Sequence, residues 1–283
     1  MVAAMPLVFV LIWSTGFIVA RYGMPHSPPM TFLVWRFLFS IVCFGLWIAW
    51  TKPAWPEGRM QYVHLGVTGV LMHAGYLGGV WAAVKFGMGA ALVALIMAFQ
   101  PILTAIWVSV RGHSVGALQW LGLVLGFGGL SMVVHARMQN TGEVSLLTGI
   151  MALIALSSIT VGTLYQKRFV RPCDVRTANT VQLIAALVIG LPLALLETGS
   201  LDWVPSSMGA MAWSVLVLTL GGSSLMYMLV QRGAVTTVAT WLYLVPPCTA
   251  LMAWALFGEV MNLQIALGVA LTAVGVYCVV KPR

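Results

Sequence analysis

The chain has 283 residues, 61% of them hydrophobic and only 7% charged, with a mean hydropathy of +1.00 and a formal net charge of +8. A water-soluble domain carries about 25% charged residues, so the composition excludes a soluble fold and predicts a chain embedded in lipid. The basic excess does not call for a nucleic-acid partner, because lysine and arginine collect in cytoplasmic loops of membrane proteins for insertion reasons alone.

A hydrocarbon core about 30 Å thick needs roughly 20 apolar residues per helix. Apolar runs between charge and turn clusters predict spans near 4–22, 30–51, 62–84, 89–110 and 116–135, then 146–165, 177–197, 208–231, 236–257 and 263–280. Breaks fall at Pro28–Pro29, Lys52–Pro53 and Pro205–Ser206–Ser207, where proline and small polar residues favour turns. Met1 to Pro6 carries no basic residue, and no small-residue cleavage pattern follows the first apolar run. The first segment is therefore read as a span rather than a signal peptide. Cys43, Cys248 and Cys278 fall inside spans and Cys173 in a basic loop, a spacing that fits neither a disulfide framework nor a zinc site.

Orientation follows from charge. One side receives Lys52, Arg59, Arg111, Lys167, Arg168, Arg171, Arg176, Arg232, Lys281 and Arg283; the other receives Arg21, Lys85 and Arg137. By the positive-inside rule the richer side is cytoplasmic, which places both termini there. Small-xxx-small spacing at Gly75 and Gly79, Gly122 and Gly126, and Ala90, Ala94 and Ala98 predicts close helix contacts.

The second half repeats the first at a displacement of 146 residues. Gly87, Pro101, Gly112, Leu121, Gly122, Leu125, Gly129, Val133 and Val134 fall on Gly233, Pro247, Gly258, Leu267, Gly268, Leu271, Gly275, Val279 and Val280. With five spans per unit, the second copy enters the membrane from the opposite side. The expected fold is an all-α membrane protein of ten transmembrane helices arranged as two inverted five-helix repeats, 1–140 and 141–283. Secondary transporters built this way place substrate between the halves.

Leu11-Ile12-Trp13-Ser14-Thr15-Gly16-Phe17, Trp35-Arg36-Phe37, and Phe257-Gly258-Glu259 followed by Gly268, Gly275 and Val276 carry a family signature. Together they resemble EamA-type drug/metabolite transporters, over essentially the whole chain. Met72-His73-Ala74-Gly75-Tyr76 is similar to the third span of YddG-type amino-acid exporters. The resemblance implies export of aromatic or other neutral amino acids across a bacterial inner membrane, through a cavity lined by spans 1, 3, 4, 6, 8 and 9. One departure is visible: His113 stands where the second repeat has Glu259.

Polar and aromatic groups deep in apolar helices are costly unless they face protein or a wet cavity. His73 sits near the middle of span three, with Tyr76 on the same face; a histidine there is a cavity hydrogen-bond donor, a proton-sensitive group, or a neutral ring bonded to a neighbouring helix. Span four offers the stripe Val93, Met97, Gln100 and Thr104. Pro101 interrupts that span and is matched in span nine by Pro247, preceded by Pro246; such paired breaks point to a hinge or cavity wall, or to an ordinary packed kink. Span one adds Trp13, Ser14 and Phe17, and span six adds Ser157, Ser158 and Thr160. Spans eight and nine add Thr219, Ser223, Tyr227, Trp241 and Tyr243. Hydroxyls suit an amino or carboxylate group and aromatics an apolar side chain. Arg36 lies about two turns, roughly 9 Å, into span two. It is expected to be architectural, snorkelling or pairing with a carbonyl.

No span carries an acid near its centre: Glu57, Glu143, Asp174, Glu197, Asp202 and Glu259 fall in loops or at span ends. Proton-driven antiport of cationic drugs, which relies on a buried carboxylate, is disfavoured. The chain has no His-Glu-x-x-His or phosphate-cradling loop, so no enzyme, metal or cofactor is expected. The reading is a facilitated or weakly coupled exporter of small zwitterions, working as a monomer in the bilayer. A purine or lipophilic compound, moved with or without proton coupling, is the alternative cargo, and a non-transporting scaffold the alternative class.

Overall fold

The computed structural model describes residues 5–110, 116–140, 144–231 and 244–280. Helix α1 is Met5–Gly23, closed by a 3-10 turn at Met24–His26. Helix α2, Pro29–Thr51, starts on a proline whose missing N–H costs nothing in a first turn. It ends at Lys52, held left-handed at φ 47°.

Helix α3 runs Arg59–Gly69, passes through a π-helical stretch at Val70–Gly75, and resumes at Tyr76–Lys85. Helix α4 is broken, as Pro101 predicts: Ala90–Met97 and Gln100–Val110 are joined by a turn in which the Phe99 N–H bonds the Ile96 carbonyl. Helices α5, Ala117–Asn140, α6, Leu146–Phe169, and α7, Val175–Leu196, follow. Helix α8 comprises Pro205–Trp213, a second π-helical stretch at Ser214–Ser223, and Ser224–Gln231. Helices α9, Val245–Phe257, and α10, Leu263–Val280, close the described chain. Pro246 and Pro247 stand in the first turn of α9, and the earlier part of the expected ninth span, 236–243, lies outside the described residues.

Among the described residues there is no strand, and seven helices are long and apolar enough to cross a membrane. Three further apolar segments, Ala90–Thr104, Val245–Phe257 and Leu263–Cys278, are shorter. The outer surface is itself apolar: Val42, Leu46, Trp50, Val124, Leu153, Val188, Leu195, Leu251 and Trp254 are all exposed. Only lipid tolerates such a surface on helices that satisfy their own backbone bonds.

Helix α2 packs on α7, α3 on α6 and α7, α5 on α10, and α1 on α9. Glycine allows these approaches. A Cβ on Gly79 would lie 2.6 Å from the Met151 carbonyl oxygen, and one on Gly75 2.6 Å from Ser158 Oγ. The Gly75 and Gly79 pair thus forms the α3–α6 seam.

Interhelix contacts sort the loops into two ends. At the basic end the Gln61 amide donates to the Arg171 carbonyl, and Thr177 Oγ1 to that of Ala54. At the other end carboxylates cap helices of the opposite half. Glu197 accepts the Met30 and Thr31 N–H groups at the start of α2. Glu259 accepts the Ala90 N–H at the start of α4 and lies 3.3 Å from Arg137 Nη2. His113 lies outside the described residues.

Candidate functional site

Between the helices lies a cavity of about 80 Å³, several times the space one water requires. Its wall draws on α1 (Trp13, Phe17), α2 (Arg36), α3 (Met72, His73, Tyr76, Trp81), α6 (Ile159, Gln166), α7 (Asn179, Gln182) and α8 (Ser223, Tyr227). It reaches from Trp81, one turn from the end of α3, to Asn179, one turn into α7 at the basic end. Beyond Trp81 the path is filled: the Phe32 and Trp81 rings, both buried, have centroids 4.6 Å apart. A smaller chamber of about 40 Å³ shares Trp13, Phe17, Tyr76 and Ile159 and extends to Met97, Gln100, Pro101 and Pro246.

The two π-helical stretches shape the main cavity. A π turn inserts a residue into the helical ladder and turns local side chains inward, and such turns are common at functional sites. The first carries His73 and the second Thr219, residues related by the displacement of 146. Thr219 Oγ1 donates to the Ser214 carbonyl five residues back, as π geometry allows, and accepts from Arg36 Nε and Nη2, each at 3.1 Å.

Arg36 is the finding that sequence reasoning missed. It does not snorkel: it is only 4% exposed, faces the cavity, and its guanidinium carbon stands 5.9 Å from the Trp81 ring centroid. A guanidinium stays charged at any physiological pH. Among the described residues no carboxylate lies within ion-pair distance of it. The displacement of 146 that marks the repeat would have singled it out, since it lands on Gln182, another polar residue in an apolar span.

Of the residues proposed from sequence, Trp13, Phe17, His73, Tyr76, Ser223 and Tyr227 line the main cavity, and Met97, Gln100, Pro101 and Pro246 the smaller chamber. Gln100 Nε2 donates to Thr163 Oγ1. Thr219 stands behind the wall, holding Arg36. Ser14 is wholly buried and donates to the Val10 carbonyl within its own helix. Val93 is core. Ser158 packs against Gly75, Ser157 is on the exposed face of α6, and Pro247 lines neither space. Trp241 and Tyr243 lie outside the described residues. Spans two and seven, absent from the implied cavity lining, supply Arg36, Asn179 and Gln182.

A multi-span helical bundle enclosing a partly polar central cavity defines a membrane protein with room for a small ligand. The match to known proteins gives the particular family: residues 2–135 and again 146–281 fit the EamA-like transporter family, and the chain belongs to it. It is 26% identical to the Escherichia coli inner membrane transporter YedA, over 93% of this chain and 86% of that one. A probable amino-acid metabolite efflux pump of Salmonella typhimurium is also 26% identical, over 96% and 92%. An uncharacterized transporter of Archaeoglobus fulgidus is 20% identical over 94% and 93%. One solved crystal structure superposes with a TM-score of 0.70 at 17% identity, covering 97% of this chain and 94% of that one, which establishes likeness of fold alone. The protein is thus a multi-pass membrane transporter of the EamA-like family.

Proposed function

We propose that the protein exports small neutral amino acids, aromatic or otherwise, by alternating access. The observation that carries this reading is the central cavity, walled by α1, α2 and α3 of the first half and α6, α7 and α8 of the second. Aromatic rings at Trp13, Phe17, Tyr76 and Trp81 suit an apolar side chain, and the polar groups of Arg36, Asn179 and Gln182 suit a zwitterionic head. Among the described residues the lining contains no carboxylate, which disfavours a cationic drug.

In this reading the helices form ten spans in two inverted repeats, 1–140 and 141–283, with both termini cytoplasmic and a monomer sufficient to build the site. Two family matches, one in each half, support the division. So does the gathering of basic loops at one end. The names of the Salmonella and Escherichia coli efflux pumps support the substrate class. The conformation described faces the cytoplasm, since the cavity extends to the basic end and is closed at the other by Phe32 and Trp81.

The test is flux of labelled methionine, threonine and tryptophan in proteoliposomes, with and without an imposed proton gradient. Saturable flux without a gradient is expected. Flux that demands the gradient would replace facilitated movement by coupling and direct attention to His73. Absence of flux for every amino acid, with flux of a purine or lipophilic compound, would overturn the substrate assignment.

A further inference from the structure

Arg36 and Gln182 are related by the repeat displacement of 146, and so are Thr219 and His73. Their contacts repeat as well. Arg36 of α2 meets Thr219 in the π stretch of α8. Gln182 of α7 stands beside His73 in the π stretch of α3. The two pairs are approximate mates, one charged and one neutral; Arg36, His73 and Gln182 line the cavity and Thr219 stands behind its wall.

Both pairs leave donors unused. Arg36 gives Nε and Nη2 to Thr219, while Nη1 has no hydrogen-bond partner among the described residues. Gln182 is 4% exposed, and its buried Nε2 has no hydrogen-bond partner. Burying a charge or an amide without a partner is costly, and such groups in native interiors have a reason to be there. Two unpartnered donors on residues that line one cavity, one of them cationic, match an acceptor with several lone pairs and a negative charge. Asn179 complements them. Its Nδ2 gives one hydrogen to the Val175 carbonyl and keeps a second, while Oδ1 is an acceptor suited to an ammonium nearer the basic end.

We propose that Arg36 and Gln182 form the carboxylate-binding subsite of this transporter, so that the cavity accepts zwitterions and monocarboxylates and rejects amines that lack the carboxylate. This deepens the amino-acid reading above and rests on it for the identity of the cargo. Thr219 is a positioning residue: it holds the guanidinium edge-on through Nε and Nη2 and leaves Nη1 without a hydrogen bond among the described residues.

The experiment compares matched ligands on wild type and on Arg36→Gln, Arg36→Lys, Gln182→Leu and Gln182→Glu. Uptake of labelled methionine into proteoliposomes is competed with methionine, N-acetylmethionine and methioninamide, and the same ligands are tested by thermal shift in detergent. Wild type should accept N-acetylmethionine and discriminate against methioninamide by about 10- to 100-fold, the range of a charge-assisted hydrogen bond. Arg36→Lys should bind more weakly and keep the preference; Arg36→Gln should lose it. Gln182→Glu sets a carboxylate into the wall and should shift selection toward methioninamide. A residue acting only through packing would weaken all three ligands alike.

Retention of the full preference in Arg36→Gln would overturn the proposal while leaving amino-acid flux intact. If Arg36→Gln does not fold, Arg36→Lys and the Gln182 variants decide instead: a preference unchanged in all of them overturns the proposal. Conversely, a wild type that moves no methionine, yet is stabilised by N-acetylmethionine and not by methioninamide in an Arg36-dependent way, would remove the amino-acid reading and leave the carboxylate subsite standing.

Discussion

Glu259 joins the two halves of the molecule through Arg137, with carboxylate Oε2 and guanidinium Nη2 3.3 Å apart and both side chains almost wholly buried. Its other oxygen accepts the Ala90 N–H, so one acid pairs a cation of α5 and caps α4. Gly258, at φ +64°, turns the chain out of α9 and sets the acid in place.

Removing Glu259 takes a buried carboxylate from Arg137 and the acceptor from the Ala90 N–H, and breaking a buried pair of this kind costs about 3–5 kcal/mol. Glu259→Ala should therefore unfold far more readily than wild type in a detergent melt. Arg137→Met combined with Glu259→Gln should recover part of the loss, because neither member of the buried ion pair then carries a charge. Equal instability of the single and double variants would show that the ion pair is not the source.

Alternating access requires the end opposite the basic loops to open. There His26 Nε2 and Ser206 Oγ are 3.0 Å apart, tying the α1–α2 turn to the start of α8. In a background with its cysteines replaced, His26→Cys and Ser206→Cys joined by a short bismaleimide should suppress flux, and a reducible analogue should restore it on reduction. Full flux through the cross-linked protein would exclude this end as the moving part.

Asp174 caps α7 by accepting the Arg176 N–H, and its carboxyl is held below the usual carboxylate range, chiefly by the hydrogen bond from the Arg176 side chain. A lowered native value means the contribution is complete above the ordinary value of 3.8 and is lost as pH falls below it through the native value. Asp174→Asn keeps a capping oxygen and removes the charge that pairs with Arg176, so it should cost about 0.2–1 kcal/mol at neutral pH, the range for a partly exposed ion pair. The gap between variant and wild-type melting temperatures should narrow below pH 4, read in a pH series of melts.

Glycines on seams and on the lipid face should respond differently. Gly79→Ala drives a methyl against the Met151 carbonyl and the Ala155 side chain, an overpacking that costs about 1–3 kcal/mol. Gly45→Ala meets nothing within 4 Å and should be neutral or stabilising by about 0.5–1 kcal/mol. Melts of the two variants side by side test whether α3 and α6 are locked at that contact.

Much was legible from the chain alone. Apolar runs between charged loops marked the helices, because lipid requires each span to be continuous, apolar and internally hydrogen-bonded. Pro101 announced the break in α4 by its missing N–H, and the histidine and tyrosine at His73 and Tyr76 announced a cavity face. Serines proved poor guides. Ser14 bonds its own helix and Ser157 faces outward, since a hydroxyl satisfied by the backbone a turn away gives no sign of where it points.

Only tertiary structure decided where Arg36 lies. In sequence it is a long basic side chain two turns from a helix end, a position from which snorkelling to water is the usual outcome. Packing of α2 against α7 and of the π turn of α8 against α2 removes that route and turns the guanidinium inward onto Thr219. The displacement of 146 residues was present in the sequence from the start, and with it the pairing of Arg36 with Gln182 and of Thr219 with His73. A linear pattern specifies which residues correspond; which of them share a cavity depends on helix rotation and crossing, which nonlocal contacts alone determine.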